Sequence, residues 1–210
     1  MDVRMDGRVA VITGASTGLG LAMAKEFAAS GASVALLARK ADVLASAKAE
    51  VQKAAGKSNG RFEAYSCDVS KAQPIADTIK KVQADLGKVD ILVNNAGISH
   101  AKPFDTVTDE DWQGDLDLKL FAAVRLTRLV WPGMKERKWG RIISLSSQSG
   151  RMYTGFGSAY YAASKAGLIG FSRVLAGEVG EYGITVSMGG DSYYGVTFPV
   201  VLREYPTYTL

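Results

Sequence analysis

The chain predicts an α/β protein in which one doubly wound parallel sheet lies between two layers of helices, as a single domain. Three observations predict it. Short β-branched runs alternate with longer helical patterns along almost the whole length, and parallel strands need such crossover connections. A glycine-rich turn joins the first strand to the first helix. Polar residues then recur just where the strands run out, which in such a sheet is the edge that collects ligands.

RVAVITG, from Arg8, is a short β-branched run ending at glycine, as a buried parallel strand should be. Leu19, Ala22, Met23, Phe27 and Ala28 follow at helical spacing, and Gly31 stops them. The cycle repeats with SVALLA (Ser33 to Ala38) and a helix from Asp42 to Ala55, then RFEAYS and a helix from about Pro74 to Leu86. Proline suits a first helical turn. DILVNN, from Asp90, is the fourth strand, followed by one long helix from about Asp109 to Lys138. RIISLS is the fifth strand, a helix from Ser158 to Tyr182 comes next, and ITVS is the sixth strand. The loops after the first five strands carry Gly14 to Gly20, Arg39, Asp68, Asn94 to Gly97, and Ser147, so all of these should open on one edge.

Composition excludes several function classes. With 47% hydrophobic and 22% charged residues, the chain can build a core and is not a disordered segment. The lone Cys67 permits no intrachain disulfide and ends an alternating stretch, so a packed side chain is expected there rather than a reactive thiol. The lone His100 cannot supply a metal cluster, and no metal is expected. The first residues interleave Asp2, Arg4, Asp6 and Arg8 with apolar residues, unlike a signal peptide, and no apolar run reaches membrane-spanning length. A cytoplasmic protein is expected. Lys135, Arg137 and Lys138 include Glu136 and sit near a helix end, which reads as a solvated face and not a nucleic-acid patch.

Candidate chemistry lies at two places. Between the first strand and first helix, Gly14, Ser16, Thr17, Gly18, Leu19 and Gly20 form a T-G-x-x-x-G-x-G turn; free amides and the positive helix end suit a pyrophosphate, and the bland alternative is a tight strand-to-helix turn. The second strand ends at Arg39 and Lys40. A carboxylate there would repel a ribose 2′-phosphate, whereas Arg39 could take it through two parallel hydrogen bonds, which favours NADP(H); an ordinary exposed pair is the alternative. Asp68 could accept from the adenine amino group or cap the following helix.

The second place is Arg141 to Lys165, where a hydroxyl-rich strand end precedes a helix carrying Tyr161 and Lys165. Four residues apart, they share a face. An ammonium near a phenol favours the phenolate and draws the tyrosine down from about 10 toward the range of a general acid or base. Ser147 could hold the oxygen that Tyr161 protonates. Tyr160 is the rival phenol, yet four residues on it meets Ser164 instead of a lysine.

TGASTGLG (Thr13 to Gly20), CDV (Cys67 to Val69), NNAG (Asn94 to Gly97) and YAASK (Tyr161 to Lys165) follow one another in this order. Together they resemble the short-chain dehydrogenase/reductase family over about Gly7 to Val186, and GRIIS with YAASKAGLIGFSRVLAGEV is similar to 3-oxoacyl-carrier-protein reductases. The resemblance implies a Rossmann-type three-layer fold in which Asn95 and the CDV and NNAG segments, with Val69 and Gly97, face the cofactor. It further implies that Lys165 bonds the nicotinamide ribose while tuning Tyr161, that Ser147 orients a small-molecule carbonyl or alcohol, and that the chain forms homo-oligomers. Leu116, Leu120, Val124, Leu168, Phe171 and Leu175 are candidate pairing positions, or simply pack on the sheet. A dimer is expected.

Three departures stand out. Seven residues after Trp112, where the family keeps an asparagine that holds a water, stands Lys119, which either donates to the same water or displaces it. Ser147 precedes Tyr161 by one position more than is usual, so Ser146 or Ser149 could share its role. After Val186 neither a proline-glycine loop nor a covering helix is recognisable, and Pro199 confines the one strand-like run, VTFPVVL, to an edge at best. The expected division is therefore a dinucleotide-binding and catalytic domain over 1–190, C-terminally shortened, with an atypical tail over 191–210. The leading expectation is an NADP(H)-dependent oxidoreductase moving hydride between nicotinamide and a carbonyl or secondary alcohol. The alternative is a catalytically silent NADP-binding chain acting as a subunit or sensor.

Overall fold

The computed structural model describes residues 4–98, 101–152 and 159–189. His100, the start of the last helix at Ser158 and the whole 191–210 tail, VTFPVVL included, lie outside the described residues. Six strands form one sheet: β1 (Val9–Thr13), β2 (Ser33–Ala38), β3 (Phe62–Ser66), β4 (Ile91–Asn94), β5 (Gly140–Leu145) and β6 (Ile184–Gly189). Every pairing is parallel and the order is β3-β2-β1-β4-β5-β6. The order reverses between β1 and β4, so the loops leaving these two strands part company there and leave a crevice at their carboxyl ends.

The helices are α1 (Gly18–Ala29), α2 (Ala41–Ala55), α3 (Ala72–Leu86), α4 (Asp109–Leu116), α5 (Ala122–Glu136) and α6 (Ala159–Val179). Alternation along the strands feeds two cores. Ala10 and Ile12 of β1 join Phe27 of α1 and Leu44 and Val51 of α2 on one face. Val9 and Val11 join Ile75 and Ile79 of α3, Leu126 and Met134 of α5 and Val179 of α6 on the other. Central β1 is buried along its whole length, as its unbroken apolar run requires.

The expected long helix after β4 is real but not uniform. Between α4 and α5 the backbone widens into a π turn over Asp117–Phe121, a device that turns side chains out of regular register and recurs at functional sites. The helix also ends at Glu136, short of Lys138. Lys138 takes the left-handed conformation with φ of 52°, and Trp139 N–H bonds back to the Met134 carbonyl, closing a Schellman-type end with lysine where glycine is usual. Gly183 meets that end closely: a Cβ at this position would lie 2.4 Å from the Lys138 carbonyl oxygen.

At the opposite, amino-terminal edge of the sheet, Asp90 is buried and fully engaged. One carboxylate oxygen accepts from Val9 N–H (3.0 Å), and the other faces the guanidinium groups of Arg137 (3.3 Å) and Arg8 (3.7 Å). Arg137 also donates to the Val89 carbonyl, which ties α5 to the entry of β4. Removing the carboxylate strands the buried Val9 N–H, while the two arginines keep access to water, so Asp90→Ala is expected to cost about 1–3 kcal/mol, read as a lowered urea midpoint with unchanged slope.

Candidate active site

The crevice at the β1/β4 switch point is organised by Thr13, the last residue of β1. Its buried hydroxyl donates to the Val93 carbonyl (3.2 Å) and accepts from the backbone N–H groups of Asn95 and Ala96 (both 2.9 Å). The Asn95 side-chain amide then donates to the carbonyls of Thr13 (2.8 Å) and Gly14 (3.3 Å). One hydroxyl and one amide thus fasten the loop after β1 to the loop after β4.

That fastening leaves room only for glycine on the turn into α1. Gly14 has φ of 65°, and a Cβ at Gly20 would stand 2.2 Å from the Gly14 carbonyl oxygen and 2.6 Å from Asn95 Nδ2. The Thr17 side chain makes no capping hydrogen bond to α1 and the first turn carries no acid, so the leading amides of this helix are not spent on its own cap. Above them lies a cavity of about 590 Å³. Among the candidate residues, those of the Gly14 to Gly20 turn, Arg39, Asp68, Val69, Asn95, Gly97, Lys119, Tyr161 and Lys165 contribute to its lining, whereas Ser147, Ser149 and Tyr160 do not. Such a cradle of close-packed glycines, uncapped helix amides and an exposed arginine, Arg39, at one end fits the phosphates of a dinucleotide.

Asp68 also lines the cavity, but it caps no helix. Its Oδ1 accepts from Ser70 N–H (3.0 Å) and from the Ser70 hydroxyl (2.8 Å), closing a local turn ahead of α3, whose cap residue is Lys71. Burial works to raise its carboxyl, and the Ser70 donors together with the charges of Arg39 and Lys71 outweigh that and hold it below the usual carboxylate range. Cys67 is buried, and burial pushes its thiol up, consistent with a packed side chain.

At the other end of the cavity stand Tyr161 and Lys165, on one face of α6 as their spacing requires. Lys165 is buried, its ammonium donates to the Leu145 carbonyl at the end of β5, and it lies 5.7 Å from the centre of the Tyr161 ring. Tyr161 is half-buried and opens on the cavity. Tyr160 does not: it is buried edge-on against Trp112, 6.2 Å between ring centres, and burial followed by the charge of Asp115 pushes its phenol up. Ser147 caps the short 3₁₀ turn Gln148–Gly150 through Ser149 N–H (3.3 Å), while it is Ser146 that lines the cavity.

Lys119, in the middle of the π turn, also reaches this end. It is buried, its ammonium lies 5.1 Å from the centre of the Tyr161 ring, and it pairs with the carboxylate of Asp115 one turn earlier. The second oxygen of Asp115 takes a 2.6 Å hydrogen bond from the Ser164 hydroxyl on α6. Asp115, Ser164 and the Thr13 hydroxyl are the residues that sequence reasoning missed. Asp115 and Lys119 do carry a signal, opposite charges four apart on a helix, but nothing in the sequence says that such a pair faces inward.

Comparison with known proteins agrees with this geometry. A family model described as "short chain dehydrogenase" matches residues 8–190. The chain is 39% identical to the D-beta-hydroxybutyrate dehydrogenase of Cupriavidus necator over 183 residues, 87% of this chain and 69% of that protein. It is likewise 39% identical to the 3-oxoacyl-[acyl-carrier-protein] reductase of Escherichia coli over 186 residues, 89% of this chain and 73% of that one. Among solved structures, the L-sorbose reductase of Gluconobacter frateurii, complexed with NADPH and L-sorbose, superposes with a TM-score of 0.84 at 37% identity, covering 90% of this chain and 70% of that one.

Because the Thr13 hydroxyl satisfies two backbone donors at once, Thr13→Val should leave both without an acceptor. The expected loss is about 2–6 kcal/mol of stability, measured by chemical unfolding, at about one to three per stranded group.

Proposed function

The chain belongs to the short-chain dehydrogenase family, and we propose that within it the protein is an NADP(H)-dependent oxidoreductase that reduces a small-molecule carbonyl, of the 3-oxoacyl type, or oxidises the corresponding secondary alcohol. The family works with a nicotinamide cofactor on CH–OH and C=O groups. The single observation that carries the reading is the convergence of Tyr161, Lys165 and the glycine cradle on one cavity.

The amides of the Gly14 to Gly20 turn would hold the pyrophosphate, with Ser16 and Arg39 at the ribose 2′-phosphate and Asp68 and Val69 beside the adenine. Asn95, Gly97, Tyr161 and Lys165 would flank the nicotinamide end. When bound, the cofactor supplies or accepts the hydride. The protein's own residues handle the proton and the orientation. Tyr161 gives its phenolic proton to the substrate oxygen on reduction and takes it back on oxidation, while the Lys165 ammonium steadies the phenolate left behind. Ser147, with Ser146 already lining the cavity, donates to the same oxygen and fixes its position.

NADP(H) is the proposed cofactor rather than NAD(H) on the strength of Arg39, the cation that follows β2 at the cavity rim, in a position where a carboxylate would repel a phosphate. A soluble homodimer, formed through α5 and α6, completes the proposal; among the described residues no helix is long and apolar enough to cross a membrane. A second reading, binding without turnover, is favoured by one observation: Lys119, where the family resemblance implies asparagine, has its ammonium tied to Asp115. The two readings part when NADPH is mixed with a panel of ketones, 3-oxoacyl thioesters and quinones. Oxidation of NADPH supports the first, and saturable binding with no oxidation supports the second.

Two outcomes follow for variants. Tyr161→Phe is expected to lower kcat by about a hundredfold or more with NADPH binding retained, since general acids contribute on that order; parental turnover in this variant rejects the acid role. Arg39→Ser is expected to weaken NADPH binding by about tenfold or more and leave NADH binding nearly unchanged, as loss of charge-assisted hydrogen bonds implies, measured by parallel titrations.

A further inference from the structure

We propose that Asp115 is a positioning residue for the proton-transfer end of the site: it holds Lys119 against the Tyr161 ring and, by its own charge, keeps that second ammonium from stripping Tyr161 of the proton it must donate. The inference rests on the reading of Tyr161 as the general acid.

Tyr161 lies between two ammonium groups, Lys119 at 5.1 Å and Lys165 at 5.7 Å from its ring centre. Two uncompensated cations at such range both favour the phenolate, and a phenol already ionised at working pH has no proton to give in reduction. The structure supplies the compensation. The Asp115 and Lys119 side chains are 7% and 1% exposed, and the pair is neutral as a unit. The Ser164 hydroxyl lies 2.6 Å from the free oxygen of Asp115 and 2.9 Å from the Tyr161 carbonyl, so the carboxylate is anchored to the very turn of α6 that carries the phenol. Water screens little of this, because every member of the pair is buried.

Among the described residues, the other charges packed around this part of the site are engaged elsewhere. Across the α4 side, Lys102 and Asp111 form their own pair (2.6 Å) and act on Tyr160. From α5, Arg125 is engaged by Asp117 (2.7 Å) and the Ser70 carbonyl (2.9 Å). The ends of β5 and β6 and the 3₁₀ turn Gln148–Gly150 carry no charged side chain, and Arg151 beyond that turn is exposed. Within α6 itself Lys165 supplies the one charge near the phenol among the described residues.

The test follows the ionisation of Tyr161 directly, from the ultraviolet difference between each protein and its counterpart that also carries Tyr161→Phe, so it needs neither turnover nor cofactor. Asp115→Asn is expected to move the Tyr161 titration down by about one pH unit, and Lys119→Gln to move it up by about one unit, as loss of one charge at this range implies. The double variant should titrate within about half a unit of the parent, because both charges leave together. Should Asp115→Asn not fold, judged by thermal melting, the comparison of Lys119→Gln with the double variant carries the result: the double variant titrating lower by about one unit supports the proposal, and equal titrations overturn it. A Tyr161 titration unmoved in all three variants also overturns it. Failure of the catalytic reading is visible separately, as parental turnover by Tyr161→Phe, and leaves the titration result standing.

Discussion

One hydroxyl sets the geometry on which everything else depends. Thr13 closes β1 by accepting two amides from the loop after β4 and giving its proton to the Val93 carbonyl, so the two innermost strands end as one rigid piece. Asn95 extends that piece to Gly14, and Gly14 leaves no space for a side chain at Gly20. The turn into α1 is therefore held tight against the sheet and its amides face the crevice. A parallel sheet whose order reverses at β1 and β4 would open a crevice in any case; these hydrogen bonds give it a fixed floor.

Charge distinguishes the ends of that crevice. Arg39 lies exposed at the end beside the glycine turn, while Lys119 and Lys165 are buried at the other. Burial is what gives the second pair its leverage, since a cation excluded from water acts on its neighbours with little screening. The same field separates two adjacent phenols. Tyr160 is packed on Trp112 with Asp115 close by and is driven up, so it holds its proton; Tyr161, one residue on, faces the two ammonium groups and the cavity. A one-residue step around a helix, about a hundred degrees, thus divides a tyrosine packed in the interior from one that opens on the cavity.

Much of this was legible in the sequence because it is written in periodicity and short-range spacing. The strand over Ser33 to Ala38 and the shared face of Tyr161 and Lys165 follow from residue patterns alone. The glycine turn was readable as a cradle because the left-handed backbone at Gly14 favours glycine and the close approach at Gly20 leaves no space for a Cβ. What could not be read depends on contacts between distant segments. The π turn at Asp117–Phe121 leaves no mark in a hydrophobic pattern, so Lys119 reads as part of a regular helix when the turn that carries it is in fact a π turn. Asp115 reads as a solvated acid on a charged helix, and only the approach of α6 buries it under Ser164. Asp68 admitted a helix cap, and the structure shows it closing a turn onto Ser70 instead, because the chain needs one more turn before α3 begins at Ala72.

The central claim is that this edge of the sheet clasps a nicotinamide dinucleotide. Hydrogen exchange of the backbone amides with and without NADPH tests it most directly. The account predicts slowed exchange over Gly14 to Gly20 and Asn95 to Gly97, with the amino-terminal edge around Asp90 unaffected. Exchange unchanged in both segments at saturating NADPH, or protection confined to some other surface, would contradict it.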